Sequence, residues 1–195
     1  MSSRIKNMVE HILSKKFFKL SKIQFDYQMK NGEWVKNTWE VLDRGNAAAA
    51  LLYNKSKRTI ILVKQFRLPA YLNGIETGFL LEVPAGTLDK KDISADEAMK
   101  RELLEETGYK ISKLDKVYNA FATPGGSTER FSCFIGEYND HMKVAKGGGL
   151  DTENEDIEIL EMPFNEALEQ MKSGDIVDAK TIILLQYAQI NKLMD

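Results

Sequence analysis

The sequence predicts an α/β or α+β domain, and three observations carry that assignment. Strand-like apolar segments bounded by polar or Gly/Pro turns recur from residue 17 to residue 162. One helical pattern over 96–107 interrupts them, and two more close the chain. An Asn-Gly turn near the N-terminus marks a further hairpin. Strands mixed with scattered helices make this class of domain.

Taken in order, the opening residues predict a short helix. Ser2 or Ser3 can cap it, and Ile5, Met8, Val9, Ile12 and Leu13 fall at helical spacing. Strand segments 17–29 and 33–42 then flank Lys30-Asn31-Gly32. This helix-and-strand part, residues 1–45, is too small to bury a core of its own and is expected to pack on something larger, including another subunit. Residues 46–195 form the main domain. "AAAALLYN" and "TIILVKQFRL" read as strands joined by "KSKR", and "FLLEVPAGTLD" as a strand breaking into a Pro/Gly loop. A helix over Asp96–Thr107 ends at Gly108, suited to a C′ position. Strands "KVYNAFAT" and "RFSCFIGEY" enclose the loop "PGGSTE". After the Gly-rich "KGGGLDTENED" come a strand, "IEILEM", and two helices, "NEALEQMKSG" and "AKTIILLQYAQINKLM".

Composition narrows the function. The 195 residues are 43% hydrophobic and 29% charged, with net charge -2, an ordinary globular balance. With pI about 5.8, nothing suggests a nucleic-acid footprint. A single cysteine, Cys133 in the apolar "FSCFI", precludes an internal disulfide and reads as a core residue. The N-terminus has no apolar run of signal-peptide length, and the longest run, Ala47–Tyr53, is too short to span a bilayer. The expectation is a cytoplasmic protein with no membrane partner. His11 and His141 look incidental.

The helix end "RELLEETG" (Arg101–Gly108) carries the chemistry. Glu102, Glu105 and Glu106 are neighbours at i, i+3 and i+4, where like charges repel, near a helix C-terminus that disfavours anions. On a helical wheel of 3.6-residue period, Glu105 and Glu106 flank Glu102 on either side. Ala95, Ala98 and Met99 fall within the same arc, and Leu103 borders it. Glu97, Lys100 and Arg101 lie on the opposite side, with Leu104 among them. The glutamates thus continue the stripe facing the protein body, where an unpaired charge is very costly. Arg101 can orient one of them but cannot balance three. A divalent cation can, and hard carboxylate oxygens select Mg²⁺, Mn²⁺ or Ca²⁺.

"AGTLDKKDISADEAMKRELLEETGY" resembles the signature box of the Nudix hydrolases: Gly, five residues, Glu, seven residues, then Arg-Glu-apolar-x-Glu-Glu-x-Gly-apolar. Gly86 starts it, and Arg101, Glu102, Leu103, Glu105, Glu106 and Gly108 complete its second half. Asp92 stands in place of the first Glu, and eight residues separate it from Arg101. Both departures fall in the loop before the helix, where insertions are tolerated. The likeness extends through "DRGNAAAALLYN", "PGGSTE", "ENEDIEILEMPF" and "AKTIILL" and is similar to the nucleoside-diphosphate-sugar branch, above all its bacterial GDP-mannose-hydrolysing members.

The resemblance implies a Nudix fold, a mixed sheet sandwiched between helices, with the N-terminal subdomain exchanged in a homodimer. It implies Mg²⁺, with Mn²⁺ as an alternative, held by the Ala85 carbonyl, Glu102, Glu106 and Glu155, with Glu105 a further ligand when more than one ion binds. In the acidic "DTENED", suited to a mobile loop over a cation-bearing site, Glu153 is the first candidate for the catalytic base. Glu129 in "PGGSTE" is the competitor and otherwise a substrate contact. Arg67 in "KQFR" is matched to a diphosphate-binding arginine, a use suited to its fork of donors. Lys180, where the last helix begins and the dipole disfavours a cation, is matched to phosphate or sugar. Phe17, Glu40, Gly86 and Thr87 complete the implied substrate set, with Glu40 reached from the partner subunit. The implied reaction is hydrolysis of GDP-mannose to GMP and mannose 1-phosphate. ADP-ribose is the alternative substrate, and a non-catalytic nucleotide-sugar sensor or a purely structural Ca²⁺ site are readings of other classes.

Overall fold

The N-terminal segment is a strand and not the helix its spacing predicts. In the computed structural model, which describes residues 3–88, 93–150 and 155–194, β1 (Ile5–Lys15) pairs antiparallel with β2 (Lys19–Gln28). The register slips between Lys6 and Val9 and again between Ile12 and Ser14, and Asn7 adopts φ 52. Each bulge breaks the two-residue alternation of a strand. The apolar positions therefore fall at gaps that imitate a helical stripe. Strand β3 (Trp34–Asp43) completes an antiparallel sheet of order β1-β2-β3, and the β2–β3 hairpin turns at Gly32, φ 90, as the Asn-Gly signal predicts.

The chain divides into two compact units, Met1–Asn46 with Phe121–Arg130, and Ala47–Ala120 with Phe131–Asp195. A linear boundary near residue 45 does not capture the return of 121–130 to the smaller unit. Backbone bonds hold it there: Leu42 N–H donates to Gly126 O at 2.8 Å and Thr128 N–H to Leu42 O at 3.0 Å. One face of the three-stranded sheet lines a cavity of about 450 Å³ with Ile5, Met8, Ile23, Phe25, Trp39 and Val41.

The larger unit is built on a mixed sheet of order β10-β5-β4-β9-β8. Its strands are β4 (Ala47–Asn54), β5 (Thr59–Phe66), β6 (Phe79–Glu82), β7 (Ala85–Thr87), β8 (Asp115–Phe121), β9 (Arg130–Glu137) and β10 (Glu158–Pro163). Strands β4 and β9 run parallel, β6 pairs with β5, and β7 pairs with β4. The helices are α1 (Leu68–Leu72), α2 (Ala95–Thr107), α3 (Phe164–Ser173) and α4 (Ala179–Ile190). The five-residue α1, with Pro69 in its first turn, carries no pattern long enough to be read from sequence.

Alternation along β4 explains the layering. Ala49 and Leu51 point into a core shared with Leu184, Leu185 and Ala188 of α4 and Ala167 of α3. Ala48, Ala50 and Leu52 point the other way, onto Met99 and Leu103 of α2. Each fully buried leucine or isoleucine contributes about 1.5–3 kcal/mol. The sheet therefore has helices on both faces, as expected, and alanines let α2 lie close to β4. Cys133 is fully buried. No helix among the described residues is long and apolar enough to cross a membrane.

Candidate active site

Helix α2 is well specified at both ends. Ser94 caps it by accepting from Glu97 N–H at 3.4 Å, and Asp96 and Glu97 occupy its first turn. Gly108 closes it in the left-handed conformation, φ 77, its N–H donating to Leu104 O. The last turn has no basic residue. Its free carbonyls are met by the triple glycine instead: Gly148 N–H donates to Glu106 O at 2.8 Å and Gly149 N–H to Glu105 O at 3.2 Å. Glycine is required beside this turn, because a Cβ on Gly147, φ 70, would sit 2.6 Å from the Thr107 carbonyl carbon.

The glutamates grade inward as the helical wheel predicts. Glu106 is 2% exposed, among Ala98, Met99 and Leu103, while Glu102 and Glu105 are half-buried. Arg101 holds two carboxylates rather than one: Nη2 lies 2.8 Å from Glu102 Oε1, and Nη1 2.9 Å from Glu105 Oε2. Glu106 accepts a bond from Ala85 N–H at 3.2 Å, which places the Val83–Gly86 turn against α2. Gly86 makes the approach possible, since a Cβ there would lie 2.2 Å from Glu102 Cδ. Burial pushes the Glu102 carboxyl up to about 7, with the Arg101 charge opposing and Glu105 and Glu155 adding to the rise. Burial, followed by the charges of Glu102 and Glu155, pushes Glu106 up to about 8.

Among the described residues no three acidic, histidine or cysteine side chains form a ready-made metal cage. Glu102 and Glu105 face Arg101, and Glu155 turns back on its own loop, Oε2 accepting from Leu150 N–H at 3.1 Å. The donor set nonetheless fits a hard divalent cation. Glu106, buried, and Glu102, half-buried beside Arg101, resist ionisation because of burial and stand against one backbone turn, where a cation would add the positive charge that one arginine cannot supply to three carboxylates.

A second carboxylate, unforeseen in the sequence, organises the predicted phosphate-binding cations. Glu82, 2% exposed at the end of β6, receives Arg67 Nε and Nη2, both at 2.9 Å, and Lys180 Nζ at 2.7 Å. Lys180 also reaches Asp178 Oδ1 at 2.8 Å. Asp178 caps α4 through Thr181 N–H at 2.9 Å, and Thr181 Oγ1 accepts from Val83 N–H at 2.8 Å. Burial pushes the Glu82 carboxyl up, but the Arg67 hydrogen bonds and the Lys180 charge outweigh it and hold the group below the usual carboxylate range. An acid inside the apolar "FLLEV" signals that a partner is needed; which partner is not local information, since Lys180 is 98 positions away.

The larger unit thus brings together Arg67, Ala85, Gly86, Thr87, Glu102, Glu105, Glu106, Glu155 and Lys180. Thr87 is exposed at the end of β7. Phe17, Glu40 and Glu129 belong to the smaller unit. Phe17, 91% exposed, lies in the β1–β2 turn rather than within a strand and packs on Phe18 with ring centroids 4.7 Å apart. Glu40 is exposed on β3 opposite Lys22, and Glu129 Oε1 lies 3.6 Å from Arg44 Nε. Asp92 and Glu153 lie outside the described residues.

The model of the NUDIX domain matches residues 43–184. The chain belongs to the Nudix family. Nudix hydrolases generally use a divalent metal, in keeping with the carboxylates of α2. The model of the GDP-mannose pyrophosphatase NudK N-terminal domain matches residues 4–42 of this Nudix protein. It is 44% identical to a GDP-mannose pyrophosphatase of Cronobacter sakazakii over 195 residues, the whole of both chains. It is 48% identical to one of Pectobacterium atrosepticum over 190 residues, 97% of this chain and 96% of that one. A GDP-mannose pyrophosphatase of Escherichia coli is 43% identical over the whole of both chains.

Proposed function

We propose that this Nudix protein hydrolyses the diphosphate of a nucleoside diphosphate sugar, with GDP-mannose giving GMP and mannose 1-phosphate. The observation that carries the reading is the inward, charge-resisting pair of Glu106, buried, and Glu102, half-buried, standing against the Ala85 turn, with Arg67 and Lys180 anchored on Glu82 just before that turn. The full-length likeness to GDP-mannose pyrophosphatases supports the choice of substrate.

Glu102, Glu106, the Ala85 carbonyl and Glu155 are the residues that hold Mg²⁺ or Mn²⁺, with Glu105 available to a further ion. When bound, the cation neutralises the diphosphate and lowers the pKa of a water ligand. Arg67 and Lys180 donate to phosphate oxygens and keep the anhydride in line with the attacking water. Glu153 accepts the water's proton as the new P–O bond forms and the bridging P–O bond breaks; Glu129 is the competing base and otherwise a substrate contact. Gly86 and Thr87 border the phosphates, Phe17 stacks on the base, and Glu40, reached from the partner subunit, contacts the base or ribose. The apolar face of the three-stranded sheet, with Met8, Ile12 and Trp39 more than half exposed, supports pairing of two copies in a homodimer.

A panel of GDP-mannose, ADP-ribose and other nucleotide sugars, assayed with Mg²⁺, tests the reading. Highest kcat/KM on GDP-mannose is expected. Higher kcat/KM on ADP-ribose would change the substrate and keep the metal residues, and no hydrolysis across the panel would leave a binding protein.

A further inference from the structure

Glu82 touches both cations assigned to the diphosphate and contacts neither the α2 carboxylates nor the Ala85 turn through any hydrogen bond of its own. It is a buried group that the proposed chemistry does not use. Its geometry is that of a tether. Arg67 donates two of its five guanidinium hydrogens to Glu82, in the side-by-side pairing that fixes a guanidinium plane, and among the described residues the other three have no hydrogen-bond partner. Lys180 is pinned between Glu82 and Asp178. The tether stands on rigid elements. Glu82 ends a strand paired with β5, and the next residue, Val83, binds Thr181 in the first turn of the helix that carries Lys180. Long cationic side chains lose much rotamer freedom when they close on a ligand, and groups ordered beforehand bind more tightly.

We infer that Glu82 is a positioning residue for phosphate recognition, holding Arg67 and Lys180 at a fixed mutual placement so that two linked phosphate groups meet preset donors. The inference rests on the assignment of Arg67 and Lys180 to the diphosphate. It opposes a simpler role in which Glu82 merely competes with phosphate for the two cations, so that its removal tightens binding.

The test uses the full-length protein and inorganic pyrophosphate in EDTA, which separates the cations from any metal. Calorimetric titration of wild type, E82Q, E82D, R67A and K180A gives the affinities. E82Q keeps the shape and loses the charge; E82D keeps the charge and shortens the reach by one methylene. Both are expected to weaken pyrophosphate binding by about tenfold, with kcat/KM on GDP-mannose falling mainly through KM. The Arg67 Nε–H resonance, slowed in exchange by Glu82, is expected to disappear in both. If E82Q does not fold by circular dichroism, E82D alone decides. Unchanged or tighter pyrophosphate binding in these variants, with R67A and K180A weakened, overturns the role of Glu82 and leaves the cation assignment standing. No effect in R67A and K180A overturns that assignment and the inference with it.

Discussion

Glu82 and Glu106 are the same side chain at the same exposure, 2% each, and they titrate in opposite directions. Glu82 lies below the ordinary carboxylate range because burial is outweighed by Arg67 and Lys180. Glu106 rises to about 8 because burial is reinforced by the charges of Glu102 and Glu155. Burial alone therefore does not set the state of an inward carboxylate; its partners do. One cluster is a finished ionic network of two cations on Glu82 and Asp178. The other sets the three carboxylates of α2 against the single cation Arg101, which pairs with Glu102 and Glu105. They are separated by the short turn Val83–Ala85, so cations and carboxylates bracket one backbone stretch.

Neutralising Glu106 separates the two clusters most sharply. E106Q is expected to lower Mg²⁺-dependent kcat/KM by roughly 10²–10³, since a bound cation is worth several kcal/mol to the reaction. The same variant in EDTA at pH 8 should melt no lower than wild type, and higher if the buried charge is the main strain. An E106Q enzyme with normal turnover would remove the metal reading of α2.

The second expectation sets the two clusters against each other. E82Q should melt below wild type at pH 7, because it leaves Arg67 and Lys180 without their shared carboxylate, whereas E106Q should not. Thermal melts of both in EDTA provide the measurement, and equal destabilisation would erase the distinction.

The pH dependence of the metal-free protein follows from the raised groups. Between about 4.5 and about 8 the folded state keeps protons on Glu102 and Glu106 that the unfolded chain releases. Their contribution to stability is therefore full below about 4.5 and is lost as pH rises through the folded values of about 7 and about 8. Melting in EDTA should fall from pH 5 to pH 8 in wild type, and the slope should flatten in a Glu102→Gln, Glu106→Gln double variant. The smallest expected effect is steric. Gly86→Ala places a Cβ 2.2 Å from Glu102 Cδ, so it should weaken divalent cation binding while the helix content stays unchanged.

What the sequence makes legible is local. Glu102, Glu105 and Glu106 could be placed inward because helical periodicity needs only thirteen residues, Ala95–Thr107, and Gly108 marks its end without outside help. Strand β4 was legible for the same reason, its eight residues bounded by Gly45 and a polar turn. The stretch Ile5–Lys15 misled because two bulges change a strand's period, and only the partner strand β2 reveals them. Glu82 is not legible locally because both of its partners, Arg67 and Lys180, come from elsewhere in the chain. The return of 121–130 to the N-terminal unit likewise depends on backbone bonds to Leu42 that no periodicity encodes.

Glu102 and Glu106 form a cation site that holds protons near neutral pH in the cation's absence. Calorimetric titration of Mg²⁺ or Mn²⁺ at pH 7, in two buffers of different ionisation enthalpy, counts the protons displaced. With groups at about 7 and about 8, wild type should release more than one proton on binding its first cation, and E106Q should bind far more weakly and release fewer. Binding without proton release, or undiminished in E106Q, would mean that these carboxylates do not hold the cation.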